Sequence, residues 1–177
     1  MLQATVLIPN SPLLICYKMF LEEKIDRLKQ TFLPAEFKVP FTDGSDILKA
    51  IEAKFIVAKD VSKDPNNLRQ RFNHWADNIK NKTAVKPVDL NNHTDWLDKL
   101  DPGTNYWAVT TDPGSPSAKH LVYDCKPKAL VALISITQGD FFIVDKKYNW
   151  FTWFRVNRQI NQAELFKSGT AVTPFEM

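Results

Sequence analysis

Apolar residues in the first half of the chain recur every three or four positions, which predicts three helices. The apolar stripe of the first helix consists of Leu21, Ile25, Leu28 and Phe32. The stripes of the second and third consist of Ile47, Ile51 and Phe55, and of Leu68, Phe72, Trp75 and Ile79. Pro34 ends the first helix, and Asp43 or Ser45 caps the second. The third begins with Asp64 as N-cap and Pro65 in its first turn.

The pattern changes to strand-like alternation after Asp101-Pro102-Gly103. Residues 105–124 are rich in β-forming side chains on both sides of a stretch of turn residues, which predicts a β-hairpin. A helix follows, with Pro127 in its first turn and Gly139 at its end. Residues 140–156 then predict a second hairpin with a tight connection.

The predicted order of elements is α-α-α-(α)-β-β-α-β-β, where the bracketed helix covers residues 94–100. Strand pairs joined by short turns favour an antiparallel sheet, and helices gathered in one part of the sequence favour the α+β class. We therefore expect a single α+β domain over 1–177. Its helical part, 19–100, packs on a mostly antiparallel four-stranded sheet formed by the β-β-α-β-β part, 104–156.

The two ends of the chain are less clearly patterned. Residues 157–169 predict one last helical turn or two, followed by a loose tail. Residues 1–18 have two interpretations. They are a leader that is disordered, or that is wrongly included before a true start at Met19, or they contain a short strand over Thr5–Ile8 that joins the sheet. Pro9 and Pro12 interrupt their apolar run, which is too short to span a membrane and lacks the basic segment of a signal peptide. No other apolar run is long enough to span a membrane, so we expect a soluble cytoplasmic protein.

Composition sets outer limits on the class of protein. A hydrophobic content of 44% with 12% aromatic residues excludes a disordered chain. The formal net charge is +3, from 23 basic and 20 acidic residues, and no run of five basic residues occurs. This surplus alone does not indicate binding to a nucleic-acid backbone.

Residues with catalytic or metal-binding chemistry are few and scattered. Cys16 and Cys125 are distant and form no CxxC pair, which favours free thiols, although a single disulfide stays open. His74, His93 and His120 fall in three different predicted elements, without the spacing of a metal site. The sequence contains no esterase elbow and no phosphate-binding glycine loop. We therefore expect no cofactor, no metal and no catalytic residues.

Carboxylates at strand ends are the remaining candidates for acid–base chemistry. Those in the second half are Asp112, Asp124, Asp140 and Asp145. Aspartate at a strand end usually serves as a turn or cap residue, and we interpret these four in that way.

The segment from Asp140 to Val156, DFFIVDKKYNWFTWFRV, combines dense aromatic residues with central lysines. Its candidate contact residues are Lys146, Lys147, Tyr148, Trp150, Trp153 and Arg155. Rings interleaved with cations are typical of single-strand nucleic-acid platforms. Alternation, however, makes both sides of these strands apolar, as in central strands covered on both faces. Most of the rings are therefore expected in the core, and a face left exposed would mark an interaction site.

Three segments of the second half carry a resemblance to a known group of proteins: YWAVTTD, KHLVYDCKPKALVALI and DFFIVDKKYNWF. Over residues 104–156 the chain resembles a family of small bacterial proteins encoded beside polymorphic or contact-dependent toxins. Many members of such families serve as immunity proteins. The most specific piece is Asp145–Trp150. The family has a histidine after the asparagine that follows the last strand, whereas here Asn157 is followed by Arg158 and Gln159, which argues against chemistry based on histidine.

The resemblance implies a binding protein that neutralises a cognate toxin, and it implies no catalytic residues. Such a protein needs a rigid scaffold and a complementary surface. The mildly positive charge does not favour an acidic inhibitor that faces a basic nuclease. The toxin would then be another kind of enzyme, or it would be bound by a local acidic patch, formed by Glu22, Glu23 and Asp26 or by Asp95, Asp98 and Asp101. Both clusters are more typical of a solvated helix face. An immunity-type protein is therefore our leading hypothesis. A nucleic-acid-associated protein that uses Lys146–Arg155 is the alternative, and an unrecognised enzyme is the third. The sequence does not predict the oligomeric state.

Overall fold

The computed structural model describes residues 21–38, 44–57, 68–92, 97–111, 122–137 and 139–169. Several predictions concern residues outside these ranges. They are the interpretation of 1–18, the start of the helix over 94–100, the caps Asp43, Asp64 and Pro65, and the residues Cys16, His93, Asp112 and His120.

The described part of the chain contains four α-helices and seven β-strands. The helices are α1 (Leu21–Thr31), α2 (Ser45–Phe55), α3 (Leu68–Asp77) and α4 (Pro127–Ile136). The strands are β1 (Phe37–Lys38), β2 (Thr83–Asp89), β3 (Tyr106–Thr110), β4 (Val122–Cys125), β5 (Phe141–Asp145), β6 (Trp150–Asn157) and β7 (Gln162–Gly169). A short 3₁₀ turn, Leu90–Asn92, follows β2.

All seven strands belong to one sheet, in the order β1-β4-β3-β5-β6-β7-β2. Every pair of neighbouring strands is antiparallel. Both predicted strand pairs, β3 with β4 and β5 with β6, are neighbours in this sheet. The prediction of an α+β fold with an antiparallel sheet is confirmed.

The predicted number of strands, four, is wrong, and so is the purely helical first half. Strands β1 and β2 lie in the part predicted to be helical, and they form the two ends of the described sheet. β7 lies in the segment predicted to form a helical turn or two. Its Ala163 and Leu165 are buried, while Gln162 and Glu164 are exposed, which is the period of two that a strand requires.

Helices cover both faces of the sheet, which gives three layers. On one face the inward side chains of the sheet, such as Ile143 and Phe154, pack in one core with residues of α1 and α4. On the other face Phe142 and Phe151 pack in a second core with residues of α2 and α3. The central strands β5 and β6 are therefore apolar on both sides, as their sequence predicted.

Helices α1 and α2 carry the predicted apolar stripes on their buried sides. Leu21 and Ile25 of α1 are buried, with Leu28 and Phe32 packed against the same core. Ile51 and Phe55 of α2 are likewise buried. In the third predicted stripe Phe72 and Trp75 are buried on α3, whereas Ile79 lies beyond the helix end at Asp77 and forms an isolated bridge with Ile56.

Two further predicted helix ends are wrong. The prediction of Ser45 as N-cap fails because Ser45 is the first helical residue, and Gly44 occupies the cap position with φ 63°. A Cβ atom at Gly44 would lie 2.6 Å from Cγ2 of Val122, so this glycine also permits close approach to β4. Helix α4 ends at Ile136, before the predicted stop at Gly139.

Strand β2 forms one end of the described sheet and has an irregular ladder. It pairs with β7, and the register shifts between Val85 and Val88. Pro87 lies within this shift and is exposed. Proline has no backbone N–H to donate to a ladder, so within sheets it is found at irregular positions of this kind.

Candidate functional site

The most specific sequence motif, Asp145–Trp150, forms the tight turn between β5 and β6. The backbone N–H of Tyr148 donates to the carbonyl oxygen of Asp145 at 2.8 Å. The N–H of Asn149 donates to Oδ2 of the same aspartate at 3.1 Å. Asp145 is thus a turn residue, as expected for an aspartate at a strand end.

Tyr148 adopts the left-handed backbone conformation at this turn, with φ 53°. This conformation is ordinary for glycine and tolerable for asparagine, but it is an outlier for a bulky residue. The phenol ring is half-buried and, like the Trp107 ring, packs against the core under α2 and α3. Burial raises the pKa of the Tyr148 phenol.

Asp124 lies next to this turn and is the centre of a charged cluster. It stands opposite Lys38 in the β1–β4 ladder and opposite Trp107 in the β3–β4 ladder. Its Oδ1 accepts a hydrogen bond from the Asn105 amide at 2.9 Å. Its Oδ2 lies 2.9 Å from Nζ of Lys146 and 3.4 Å from Nζ of Lys38.

Lys146 links the carboxylate of this cluster to its aromatic part. Its ammonium nitrogen lies 3.3 Å from the centroid of the Trp107 ring, in a cation–π contact. Neighbouring Lys147 is exposed. We refer to the group below as the Asp124 site. It consists of Lys38, Asn105, Trp107, Asp124, Lys146, Lys147 and Tyr148.

Trp150 and Trp153, predicted as contact residues, lie on opposite faces of the sheet. They are only 7% and 4% exposed. The Trp150 ring contacts Tyr106 in one core, and the Trp153 ring stacks on Phe166 beside the other. The two indoles therefore offer no common stacking surface.

Arg155 lies towards the far end of β6 from the turn. It is five residues beyond Trp150, or about 17 Å along an extended strand. Its Nη1 lies 3.7 Å from Oε2 of Glu164, with both side chains exposed. Of the predicted contact residues, Lys146, Lys147 and Tyr148, which are consecutive in the chain, lie in the β5–β6 turn, and Trp150, Trp153 and Arg155 lie on β6.

Asp140, another strand-end aspartate, caps the opposite end of the β5–β6 pair. Its Oδ1 accepts the backbone N–H of Val156 at 2.9 Å, and its Oδ2 accepts the Trp153 indole N–H at 3.2 Å. Burial raises the pKa of Asp140, and these two hydrogen bonds act against the shift. Asp140 thus contributes to the structure, in agreement with its interpretation as a cap.

Cys125 is a free and fully buried thiol. Burial raises its pKa well above the usual range, and the neighbouring Asp124 carboxylate acts in the same direction. A reactive cysteine needs a lowered pKa and access to solvent. Cys125 therefore has the properties of a structural residue.

Within the described ranges, no group of three or more His, Cys, Asp or Glu side chains lies close enough to hold a metal ion. The Asp124 site offers ammonium groups, an indole face and a phenol, fixed by a buried carboxylate. Such a set can bind an anionic or aromatic group through hydrogen bonds and ring contacts.

The pairing of Lys38 with Asp124 was missed by sequence reasoning. Lys38 lies in an unrecognised two-residue strand, and no local pattern signals its partner. The strand-end position of Asp124 gave the only hint, and it pointed to a turn rather than to an ion pair.

None of the helices in the described ranges is long and apolar enough to cross a membrane. Comparison of the chain with protein-family models, with curated protein sequences and with solved structures gave no match.

Proposed function

We propose that this chain is a binding protein of the immunity type, which neutralises a cognate bacterial toxin domain and contacts it through the Asp124 site. The backbone of Tyr148 is the observation that supports this contact surface. A tyrosine in the left-handed conformation costs about 1 kcal/mol relative to glycine, which adopts it freely. Strained residues of this kind cluster at functional sites.

The surroundings of Tyr148 support a role in recognition. Tyrosine is among the residues that contribute most to protein interfaces, because its ring buries a large area with little loss of side-chain freedom. Here the ring is half-buried against the same core as the Trp107 ring, with Lys147 exposed next to it in the chain.

The turn is also held rigidly before any partner arrives. Asp145 fixes its backbone through two hydrogen bonds, and Asp124 fixes the Lys146 ammonium. A surface that is already ordered loses less entropy on binding, which favours high affinity. This is the property that an inhibitor without a reaction centre requires.

Protection in cells is the direct test of this proposal. The full chain is co-expressed with each candidate toxin domain that the neighbouring genes encode, and surviving colonies are counted. The wild-type chain is expected to restore growth. A purified pair then gives the dissociation constant by calorimetry. Failure of the wild-type chain to protect or to bind would overturn the immunity function.

Tyr148→Asn tests the contact surface. Asparagine tolerates the left-handed conformation, so we expect the free energy of unfolding to change by no more than about 1 kcal/mol. The dissociation constant should rise about 30-fold, as for a hot-spot residue.

The matched control is Asn161→Gly, at the β6–β7 turn. Asn161 has φ 52°, nearly the value of Tyr148, but lies at the opposite end of β6. This variant should bind as the wild type does. Equal affinity of Tyr148→Asn and the wild type would show that the toxin docks elsewhere.

A further inference from the structure

We infer that the partner surface that docks on the Asp124 site is acidic, and that one of its carboxylates is seated between Lys38 and Lys146. This inference rests on the proposed protein-binding function and specifies the chemistry of the partner. The charge balance within the site carries it.

Two ammonium groups share one carboxylate oxygen in this site. Oδ2 of Asp124 faces both Lys146 and Lys38, while Oδ1 is engaged by Asn105. One negative charge therefore stands against two positive charges. A second carboxylate, supplied by a partner, would complete this balance with charge-assisted hydrogen bonds.

The excess positive charge of the site faces solvent, because the carboxylate is buried and the two ammonium groups are partly exposed. The Asp124 side chain is only 6% exposed, while those of Lys38 and Lys146 are 54% and 29% exposed. The Asp145 carboxylate is directed to the backbone of its own turn, where it accepts from Asn149. An approaching molecule thus meets the ammonium groups before the carboxylates.

Lys147 extends this positive surface. It follows Lys146 in the turn and is exposed. The chain as a whole has a net charge of only +3, so the concentration of ammonium groups at one turn is a local property. Opposed charges across an interface raise the association rate and set the orientation of docking.

A short acidic peptide probes this surface without the toxin. Hexaglutamate is added to the full-length chain at low salt, and the indole N–H resonance of Trp107, assigned by Trp107→Phe, is followed by NMR. We expect a saturable shift of this resonance, reversed at high salt, because the peptide would compete for the ammonium group above the ring. Hexalysine should give no shift.

Two variants and one control identify the residues. Lys147→Glu and Lys38→Gln should each weaken hexaglutamate binding, and together they should lower the association rate with the toxin domain about tenfold. Arg27→Glu changes the net charge as much as Lys147→Glu, but on α1, on the other face of the sheet. It should leave both measurements unchanged, and thermal unfolding checks that every variant is folded.

The two proposals fail separately. Protection from the toxin with no hexaglutamate binding, and with no effect of Lys147→Glu and Lys38→Gln on association, would overturn the acidic partner and leave the immunity function standing. Hexaglutamate binding without protection would support the carboxylate site and remove the immunity function. Binding of an oligothymidylate of about ten nucleotides in place of hexaglutamate would overturn the inference in favour of nucleic acid.

Discussion

Lys146 stands directly over Trp107, with its ammonium nitrogen 3.3 Å from the ring centroid. The contact joins the β5–β6 turn to the neighbouring strand β3, and the carboxylate of Asp124 anchors the same ammonium from β4. Three strands are thus tied together at one end of the sheet by a single side chain. The site is for this reason both a part of the scaffold and a candidate contact surface.

Lys146→Met is expected to destabilise the protein by about 2 kcal/mol, because Asp124 is left buried with only Lys38 as cation. Methionine keeps the apolar stem on the Trp107 ring. Urea unfolding of Lys146→Met, Asp124→Asn and the double variant gives a double-mutant cycle. We expect a coupling free energy of about 1 kcal/mol between the two positions. If the loss of unfolding free energy in the double variant equals the sum of the two single losses, the ion pair contributes nothing to stability.

Glu52 links α2 to α3 and should be sensitive to truncation. Its Oε2 accepts from Nη2 of Arg71 at 2.7 Å, and its Oε1 accepts the indole N–H of fully buried Trp75 at 2.8 Å. Glu52→Ala leaves both donors without this partner, which should cost about 2 kcal/mol of unfolding free energy. Glu52→Gln retains an acceptor for Trp75 and should cost about half as much. Equal losses in chemical denaturation would contradict this account.

The raised pKa of Asp140 predicts a pH dependence of stability. The folded state binds the proton of this carboxyl more tightly than the unfolded state, so its contribution favours folding at low pH. That contribution decreases as the pH rises past the ordinary aspartate value of 3.8, and it is lost above the raised pKa of the folded protein. An asparagine side chain cannot titrate, so the stability of Asp140→Asn relative to wild type should rise across this window. Urea unfolding at a series of pH values measures the difference, and a difference that falls with pH would contradict the burial effect.

Cys125 should resist thiol reagents in the folded protein. Its buried side chain and raised pKa leave almost no thiolate at neutral pH. In a Cys16→Ser background, labelling by iodoacetamide should proceed only as fast as the protein opens, and urea should accelerate it strongly. Rapid labelling without denaturant, with native circular dichroism, would show that β4 is exposed far more often than its packing implies.

Local periodicity correctly predicted the elements in which apolar residues recur with one clear period. The stripe of Leu21 and Ile25, and the two-sided apolar strands around Phe142 and Phe151, lie where the pattern placed them. β7 was missed although Ala163 and Leu165 alternate with polar residues, because alanine, glutamate, leucine and lysine are also good helix formers. The segment is a strand and not a helix because it forms ladder hydrogen bonds with β6 on one side and β2 on the other.

Strand β2 and the Asp124 site depended on tertiary contacts that no local pattern contains. Pro87 argues against a strand at this position, and the segment is a strand because it pairs with β7, its one neighbour among the described strands. Lys38 meets Asp124 because β1 pairs with β4 across a long stretch of chain. The motif Asp145–Trp150 located the turn correctly, but it gave no sign that Lys146 would reach back over Trp107.

The irregular β2 ladder also bears on how the molecule behaves in crowded solution. A broad antiparallel sheet is prone to polymerise when the outer strand presents an unbroken row of amide and carbonyl groups. Pro87 has no backbone N–H to donate, and the register shift between Val85 and Val88 makes the β2 ladder irregular. Among the described strands, β2 is therefore a poor template on which a second copy could continue the ladder.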